Sequence, residues 1–255
     1  MRSLTVKCIL FIWSVFSSLL AVGQVVNIEQ ARVNADSIGW SSNLDAAFFR
    51  QEFDDNLTTL NGRFSAQRKN SRSFFLVLVD AGYSYSNEDV FMNYKLIHVR
   101  SSVKLAPKVR LEGFIQGQDN PPLGITFRNL VGVGPRIRMI SKENGRLYAG
   151  STLMLENEWA SNGVKAIGIV RSSNYLNFQW LKEGKYGISS TIYYQPQLSR
   201  VFDYRVSGQH SFVSSLTKHV NAKVEFTHYY DSRPPSVGLN RSRITTVGLN
   251  YQLDH

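Results

Sequence analysis

The chain carries five histidines, the side chains best suited to proton transfer near neutral pH. A serine hydrolase built on a single strand needs a histidine and a serine two positions apart, because alternate residues of a strand point to the same face. The residues two positions after the four internal histidines are Arg100, Phe212, Asn221 and Tyr230. No local dyad is therefore encoded and we expect no enzymatic activity, although a dyad assembled from neighbouring strands, for example around His98, stays open.

The sequence motifs give little support for a metal site, a nucleotide site or a reactive thiol. The acidic pairs Asp54–Asp55 and Glu88–Asp89 lack the spacing of a calcium loop, so we expect solvated surface carboxylates. Gly132–Gly134 lies inside an alternating segment, is followed by Pro135 and opens no helix, which excludes a phosphate-binding glycine loop. Cys8 is the only cysteine. We therefore expect no cofactor and no metal ion.

Ten charged residues lie on the polar face of segments in which apolar and polar side chains alternate. We predict that these residues line the interior of the fold. An excess of positive charge there would favour anions in a small pore, whereas pairing across the interior would close it. The sequence leaves both possibilities open. The ten residues are Arg100, Lys104, Glu112, Arg136, Arg138, Glu156, Asp203, Arg205, Lys223 and Glu225.

The elements that would position these residues are β-strands. Over Leu130–Met139, for example, Val131, Val133 and Ile137 alternate with glycines and arginines, and this period of two is typical of a strand with one apolar face. About twelve such segments follow one another, each as long as a tilted membrane strand requires. Their predicted spans are 37–51, 57–69, 73–86, 93–105, 108–118, 125–141, 146–157, 166–182, 185–196, 201–214, 219–231 and 242–254.

This pattern predicts an all-β fold, a single antiparallel up-and-down transmembrane β-barrel of about twelve strands. A soluble β-sandwich also alternates, but its strands are typically about five or six residues long. An arginine facing lipid at the bilayer midplane costs about 2–4 kcal/mol, so the face with Arg136 and Arg138 must point inward. We also expect short turns at one end and longer connections at 87–92, 119–124, 158–165 and 231–241 at the other.

Two further features favour a membrane barrel. Aromatic residues near strand ends suit interfacial girdles, where an amphipathic ring lies between lipid and water. The last segment carries a polar–x–Gly–x–x–aromatic–x–apolar pattern at Thr246, Gly248, Tyr251 and Leu253, which resembles the signal read by the barrel-assembly machinery. The aromatic residues predicted for the girdles are Tyr94, Trp159, Tyr186, Phe202, Tyr229 and Tyr230.

The amino terminus predicts export. Residues 1–23 combine basic residues, an apolar run of about fifteen residues and small residues before a cleavage point, as in a signal peptide. We assign 24–36 to a short periplasmic segment and 37–255 to the barrel. Removing two of the 29 basic residues leaves a mature chain with charge +8. We expect anionic lipid or lipopolysaccharide as partner in a Gram-negative outer membrane, and no nucleic acid.

Four stretches of the sequence resemble an uncharacterised outer-membrane β-barrel family named after a salt-induced outer membrane protein. They are Ile38–Ser41, Arg128–Arg136, Ser173–Gln179 and Asp231–Pro235. The resemblance covers nearly all of the mature chain and implies a barrel in the outer membrane. It implies no activity and no catalytic residues, because the family has none agreed.

Three functions follow as hypotheses. The first is an outer-membrane barrel that serves as a small anion-leaning pore or as a structural element of the envelope. The second is a barrel enzyme that acts on lipid or lipopolysaccharide. The third is a soluble secreted β-sandwich that binds a ligand.

Overall fold

The computed structural model describes residues 38–52, 56–86, 89–182, 185–234 and 240–254. The predicted leader (1–23) and periplasmic segment (24–36) lie outside these ranges. Within them the chain forms twelve strands, numbered β1 to β12 in chain order. Their bounds are Gly39–Glu52, Asn56–Lys69, Ser73–Ser86, Asp89–Lys104, Val109–Asn120, Ile125–Ser141, Gly145–Ala160, Lys165–Lys182, Tyr186–Gln197, Arg200–Ser215, Val220–Asp231 and Arg241–Asp254.

The strands close into one antiparallel barrel in which each strand pairs with its neighbours in sequence and β12 pairs with β1. This architecture confirms the predicted all-β, up-and-down transmembrane barrel. Because the strand number is even, the start of β1 and the end of β12 lie at the same end, here called the termini end; the other is the distal end. Among the described residues no helix is both long and apolar enough to cross a bilayer.

The seam between the first and last strands is short. β1 pairs with β2 along its whole length but with β12 only over Ser41–Ala46, opposite Leu249–Asp254. Beyond this point, 47–52 and 241–248 have no ladder partner across the seam in the described structure. The distal half of the seam is therefore the weakest part of the wall, because the ladder supplies the backbone hydrogen bonds of a barrel.

Side chains alternate between the two faces of the wall as the sequence predicted. On β6, Val131 and Val133 are each 53% exposed on the outer face, whereas Arg136, on the opposite parity, is buried inside. On β3 the alternation is also strict, but the inward side chains include Phe74, Leu76 and Leu78. The outer face is thus a belt of apolar side chains that would lie in water unless lipid covered it.

The connections depart from the prediction at the distal end. The strands take in half of the residues assigned to the loops 87–92, 119–124 and 158–165, and the connections there shrink to 87–88, 121–124 and 161–164. Only 232–240 is long. Strand β4, for example, begins at Asp89 and pairs with the end of β3, because an antiparallel ladder can continue past the apolar belt into water.

The aromatic girdles are present, but the prediction is wrong for two of the six residues assigned to them. Trp159, Tyr186, Phe202 and Tyr230 lie on the outer face, where rings associate in pairs such as Phe127–Trp159 and Trp180–Tyr186, and Phe202 is 80% exposed. Tyr94 and Tyr229 point inward and are buried. Closeness to a strand end does not decide which face a ring occupies. Side chains alternate along a strand, so neighbours such as Tyr229 and Tyr230 must face opposite sides of the wall. The outward aromatic contacts involve Tyr83, Tyr85, Phe127, Trp159, Trp180, Tyr186, Tyr194, Tyr204, Phe212 and Tyr230.

Candidate functional site in the barrel lumen

The lumen contains eight of the ten charged residues that were predicted to line it, and the other two lie at its mouth. Lys104 and Arg138 are exposed at the termini end, and both line an open cavity there. Six of the others are buried, and Asp203 and Lys223 are partly buried in ion pairs. The eight interior residues are Arg100, Glu112, Arg136, Glu156, Asp203, Arg205, Lys223 and Glu225.

A network of ion pairs, here called the distal network, fills the distal half of the lumen. Arg205 on β10 donates to Glu158 on β7 (3.0 Å) and to Asp231 on β11 (2.7 Å), and it also pairs with Glu156 on β7. Glu156 in turn accepts from Arg171 on β8 at 2.7 Å. The contacts of Arg205 with β7 join non-adjacent strands, because β8 and β9 separate β10 from β7 in the wall. The distal network consists of Arg128, Glu156, Glu158, Arg171, Asp203, Arg205 and Asp231.

Apolar contacts close the distal mouth beyond this network. The 3₁₀ turn Pro121–Leu123 and the start of β6 bring Leu123 and Ile125 against Tyr229 of β11. Strands β6 and β11 lie almost opposite each other in the twelve-stranded wall. All three side chains are at most 6% exposed, so the connection folds over the lumen instead of standing out from the barrel.

A second cluster of ion pairs, here called the seam cluster, lies beside the seam at mid-height. Arg63 on β2 pairs with Asp80 on β3 (2.9 Å) and with Glu225 on β11 (3.3 Å). Lys223 bridges Glu225 and Asp45 on β1, at 2.9 Å to each. The seam cluster thus connects β2 and β3 to β11 across β1 and β12, and stabilises the wall where the ladder is shortest.

A third layer, centred on Glu112, separates these clusters from the termini end. Arg100 pairs with Glu112 at 3.1 Å, and Tyr175 on β8 donates its hydroxyl to the same carboxylate at 3.2 Å. The Tyr175 ring lies directly over Gly150 on β7, where a Cβ atom would approach the ring to 2.1 Å. Gly150 therefore makes room for a ring from the adjacent strand.

Apolar side chains complete the filling of the lumen. Leu76 and Leu78 on β3 are 0% exposed and pack with Phe74 and with Leu96 on β4. A side chain with no exposed surface leaves no room for water beside it. Beside β3 and β4 the lumen is therefore packed as in a protein core.

The interior ion pairs are almost balanced in charge. The ion pairs of the distal network, the seam cluster and the Glu112 layer join lumen side chains, and together they comprise seven cations and eight carboxylates. The sequence pattern did not single out Arg63, Asp80, Arg128, Arg171 or Asp231. Arg128 lies on the same face of β6 as Arg136, so counting back from Arg136 in steps of two would have identified it. Asp80 was missed because the inward face of β3 also carries Leu76 and Leu78 and does not look polar in the sequence.

The termini end, by contrast, opens into a basic cavity of about 420 Å³, here called the vestibule. Its floor includes Ser102, Arg136 and Gln179, all buried. No carboxylate is among the described residues that line it. Its seven cationic side chains are Lys69, Lys104, Lys108, Arg110, Arg136, Arg138 and Arg146.

The outer wall holds a serine–histidine pair that joins two strands by a short contact. Ser190 on β9 and His210 on β10 face each other across the ladder, with 2.8 Å between Oγ and Nδ1. The ring of His228 on β11 stacks on His210, with 5.4 Å between centroids. Both partners lie on the outward parity, since Ser189 and Ser211 beside them are buried inside.

Other predicted sites are placed as follows. Thr246, Gly248, Tyr251 and Leu253 lie on β12, which pairs with β11 and, near its end, with β1. Asp54, Asp55 and Glu88 lie outside the described residues. Within the described ranges no group of three or more His, Cys, Asp or Glu side chains could hold a metal ion.

Comparison with solved structures shows the same fold. An outer-membrane channel from Pseudomonas putida F1 superimposes with a TM-score of 0.51 at 10% identity, covering 90% of this chain and 98% of that chain. The translocator domain of the autotransporter NalP from Neisseria meningitidis gives a TM-score of 0.50 at 9% identity, covering 89% and 93%. The KdgM porin in complex with disordered oligogalacturonate gives 0.47 at 11% identity, covering 84% and 99%.

No curated protein matches the chain in sequence. One family does, over residues 44–253, which is nearly the whole barrel, and it is described as a protein of unknown function, DUF481. This match confirms the resemblance to a domain of unknown function, whereas the link to salt induction stays a prediction. The chain belongs to the DUF481 family of proteins of unknown function.

Proposed function

We propose that this protein is an outer-membrane barrel whose lumen is closed by its own side chains, so that it serves the envelope as a non-conducting barrel. The single observation that carries the proposal is the filling of the lumen, with ion pairs and apolar contacts that join non-adjacent strands. Of the two possibilities that the sequence left open, pairing across the interior is favoured over an anion-leaning pore, because the interior charges are almost balanced.

Residence in the outer membrane is supported by the outward apolar belt, and the termini end is proposed to face the periplasm, where single-chain barrels place their turns. In this orientation the vestibule opens to the periplasm and the 3₁₀ turn covers the external mouth. The proposed partners are outer-membrane lipid or lipopolysaccharide around the belt and the barrel-assembly machinery, which would read β12. Export through a cleaved leader belongs to the same proposal.

Planar-bilayer conductance of the refolded mature protein tests the closed lumen. We expect no discrete current steps, although heat-modifiable mobility on gels shows that the same preparation is folded. The double variant E156A/R205A removes the centre of the distal network and should raise the conductance. Reproducible steps from the unmodified protein would overturn the proposal.

A second candidate function, hydrolysis of lipid esters, is favoured by one observation, the contact between Ser190 and His210 on the wall that faces lipid. The Ser190 hydroxyl would attack the ester carbonyl while His210 accepts its proton, and the alcohol would leave with that proton, which leaves the acyl group on Ser190. Water would then cleave this acyl-serine and release the fatty acid. Release of fatty acid from phospholipid vesicles tests this function. This function requires that S190A no longer releases fatty acid. The control variant S214A, which removes a hydroxyl on the same outer face, should still release it. Without release by the unmodified protein, the contact only satisfies two polar groups in lipid.

A further inference from the structure

We infer that the outward face at the distal end of β11 and β12 binds the phosphate head group of a membrane lipid. This face, here called the head-group site, consists of His228, Tyr230, Arg241 and Arg243. Both arginines are exposed and flank Ser242, which is buried inside, so they point away from the lumen. They thus differ from the lumen arginines, which point inward. The inference rests on the proposed residence in the outer membrane and not on the closed lumen.

Neither arginine of the site is matched by a carboxylate of the described residues. The Arg241 guanidinium lies 5.9 Å from the centroid of the Tyr230 ring, and Arg243 faces His228 across the ladder. The carboxylates of β8 to β12 whose side chains the structure describes point into the lumen and are paired there. They are Asp203, Glu225 and Asp231. The two outward charges are therefore open to an anion from the surroundings.

The register of the ladders places the two arginines at the level of lipid head groups. Tyr194 on β9 and Tyr230 on β11 pair with the same residue of β10, and Tyr230 pairs in turn with Arg241. The ring of Tyr204 lies between the two tyrosines, with 5.7 Å and 5.9 Å between centroids. Outward tyrosines near strand ends mark the membrane–water interface. Arg241 therefore lies at this interface, and Arg243 lies two residues nearer the middle of the wall.

An apolar surface for acyl chains begins beside the arginines on the side toward the termini end. Phe226 and Val224 on β11 and Val247 and Leu249 on β12 are exposed on the same outward face. A lipid whose phosphate contacts Arg243 would lay its acyl chains along these side chains. Cations at the edge of an apolar surface match the two ends of a lipid, whereas a soluble phosphate would use only the cations.

The chemistry of the site suits a phosphate group. Residues two apart on one strand face lie about 7 Å from each other, so the long side chains of Arg241 and Arg243 can converge on one group. Each guanidinium group can donate two parallel hydrogen bonds to phosphate oxygens. His228, whose ring lies over Gly208 on β10, adds a ring N–H beside Arg243. The site therefore offers more donors than the two oxygens of a carboxylate require.

Equilibrium binding of radiolabelled dioleoylphosphatidic acid tests the inference, with the refolded mature barrel in dodecyl maltoside, a detergent that has neither charge nor phosphate. We expect saturable binding. R241Q/R243Q should weaken it about tenfold or more, and R241K/R243K, which keeps the charge but loses the fork, should weaken it less. The control R68Q/K182Q removes the same charge from exposed side chains at the termini end and should change affinity by less than about twofold, because distant charges are screened. Absence of saturable binding, or equal weakening by the control, would overturn the inference.

Two competition arms assign the chemistry and its source. Unlabelled oleate carries the same acyl chain on a carboxylate and should compete more weakly than unlabelled phosphatidic acid; equal competition would overturn the phosphate assignment. Inorganic phosphate at the same concentration should not compete, and competition equal to that of the lipid would overturn the lipid assignment. Binding and conductance are separate measurements. Current steps would refute the closed lumen and leave the head-group site standing, whereas absence of lipid binding would refute only the site.

Discussion

Arg205 is the side chain on which the distal network depends most, and its replacement by methionine is the sharpest test of the closed lumen. In the unmodified network three arginines face four carboxylates. R205M leaves two arginines with the same four acids, and takes a cation from Glu156, Glu158 and Asp231 at once. Methionine conserves most of the apolar volume, so the loss of charge dominates.

The magnitude follows from burial. Removing one partner of a buried ion pair typically costs about 3–5 kcal/mol, because the remaining charge has lost its compensation in a poorly hydrated site. R205M should therefore lower the free energy of unfolding by about this amount, or about two to four orders of magnitude in the unfolding equilibrium constant. Glu156 and Arg205 are both more than nine-tenths buried, so little screening by solvent reduces the effect.

The assay is urea unfolding of the barrel in lipid vesicles, followed by the fluorescence of the outward tryptophans Trp40, Trp159 and Trp180. K104M is the matched control, since it removes one positive charge from an exposed side chain and should cost less than about 0.5 kcal/mol.

A second variant tests the reasoning about charge balance. E156Q/R205M leaves two arginines with three carboxylates and restores the net charge of the unmodified network. The double variant should therefore lose less than the sum of the two single losses. The reasoning fails if the free energy of unfolding of R205M lies within about 0.5 kcal/mol of that of the unmodified barrel. It also fails if the loss in E156Q/R205M equals the sum of the losses in E156Q and R205M.

Two other predictions concern the wall. V133R places a cation on the lipid-facing side and should cost about 2–4 kcal/mol in the same vesicle assay; a smaller loss would show that lipid does not cover this face. Because the only native cysteine, Cys8, lies in the predicted leader and outside the mature protein used here, engineered pairs report cleanly on the seam. Oxidation of A46C/L249C, a ladder pair, should form a disulfide, whereas R50C/T245C, four residues further along the unpaired edge, should form it much less completely; equal cross-linking would show a continuous seam.

The amino-acid pattern determined the architecture almost completely. Period-two alternation located all twelve strands, most bounds to within one or two residues, and the cost of lipid-exposed arginine identified the inward face of β6. These inferences succeed because they depend on each strand separately: a strand between lipid and lumen must carry one apolar and one polar face. The loops at the distal end were overestimated because a paired ladder needs no apolar residues once it leaves the membrane.

The ion pairs that support a closed lumen became visible only in three dimensions. The sequence predicts that Arg205 and Glu156 point inward, but not that they meet across four strands, because that depends on the register of each hairpin and the curvature of the wall. For the same reason the sequence did not reveal that Ser190 and His210, twenty residues apart, are in contact, or that seven cationic side chains line one mouth. Side-chain direction is a local property of a strand, whereas the distances across a barrel result from the closure of all twelve.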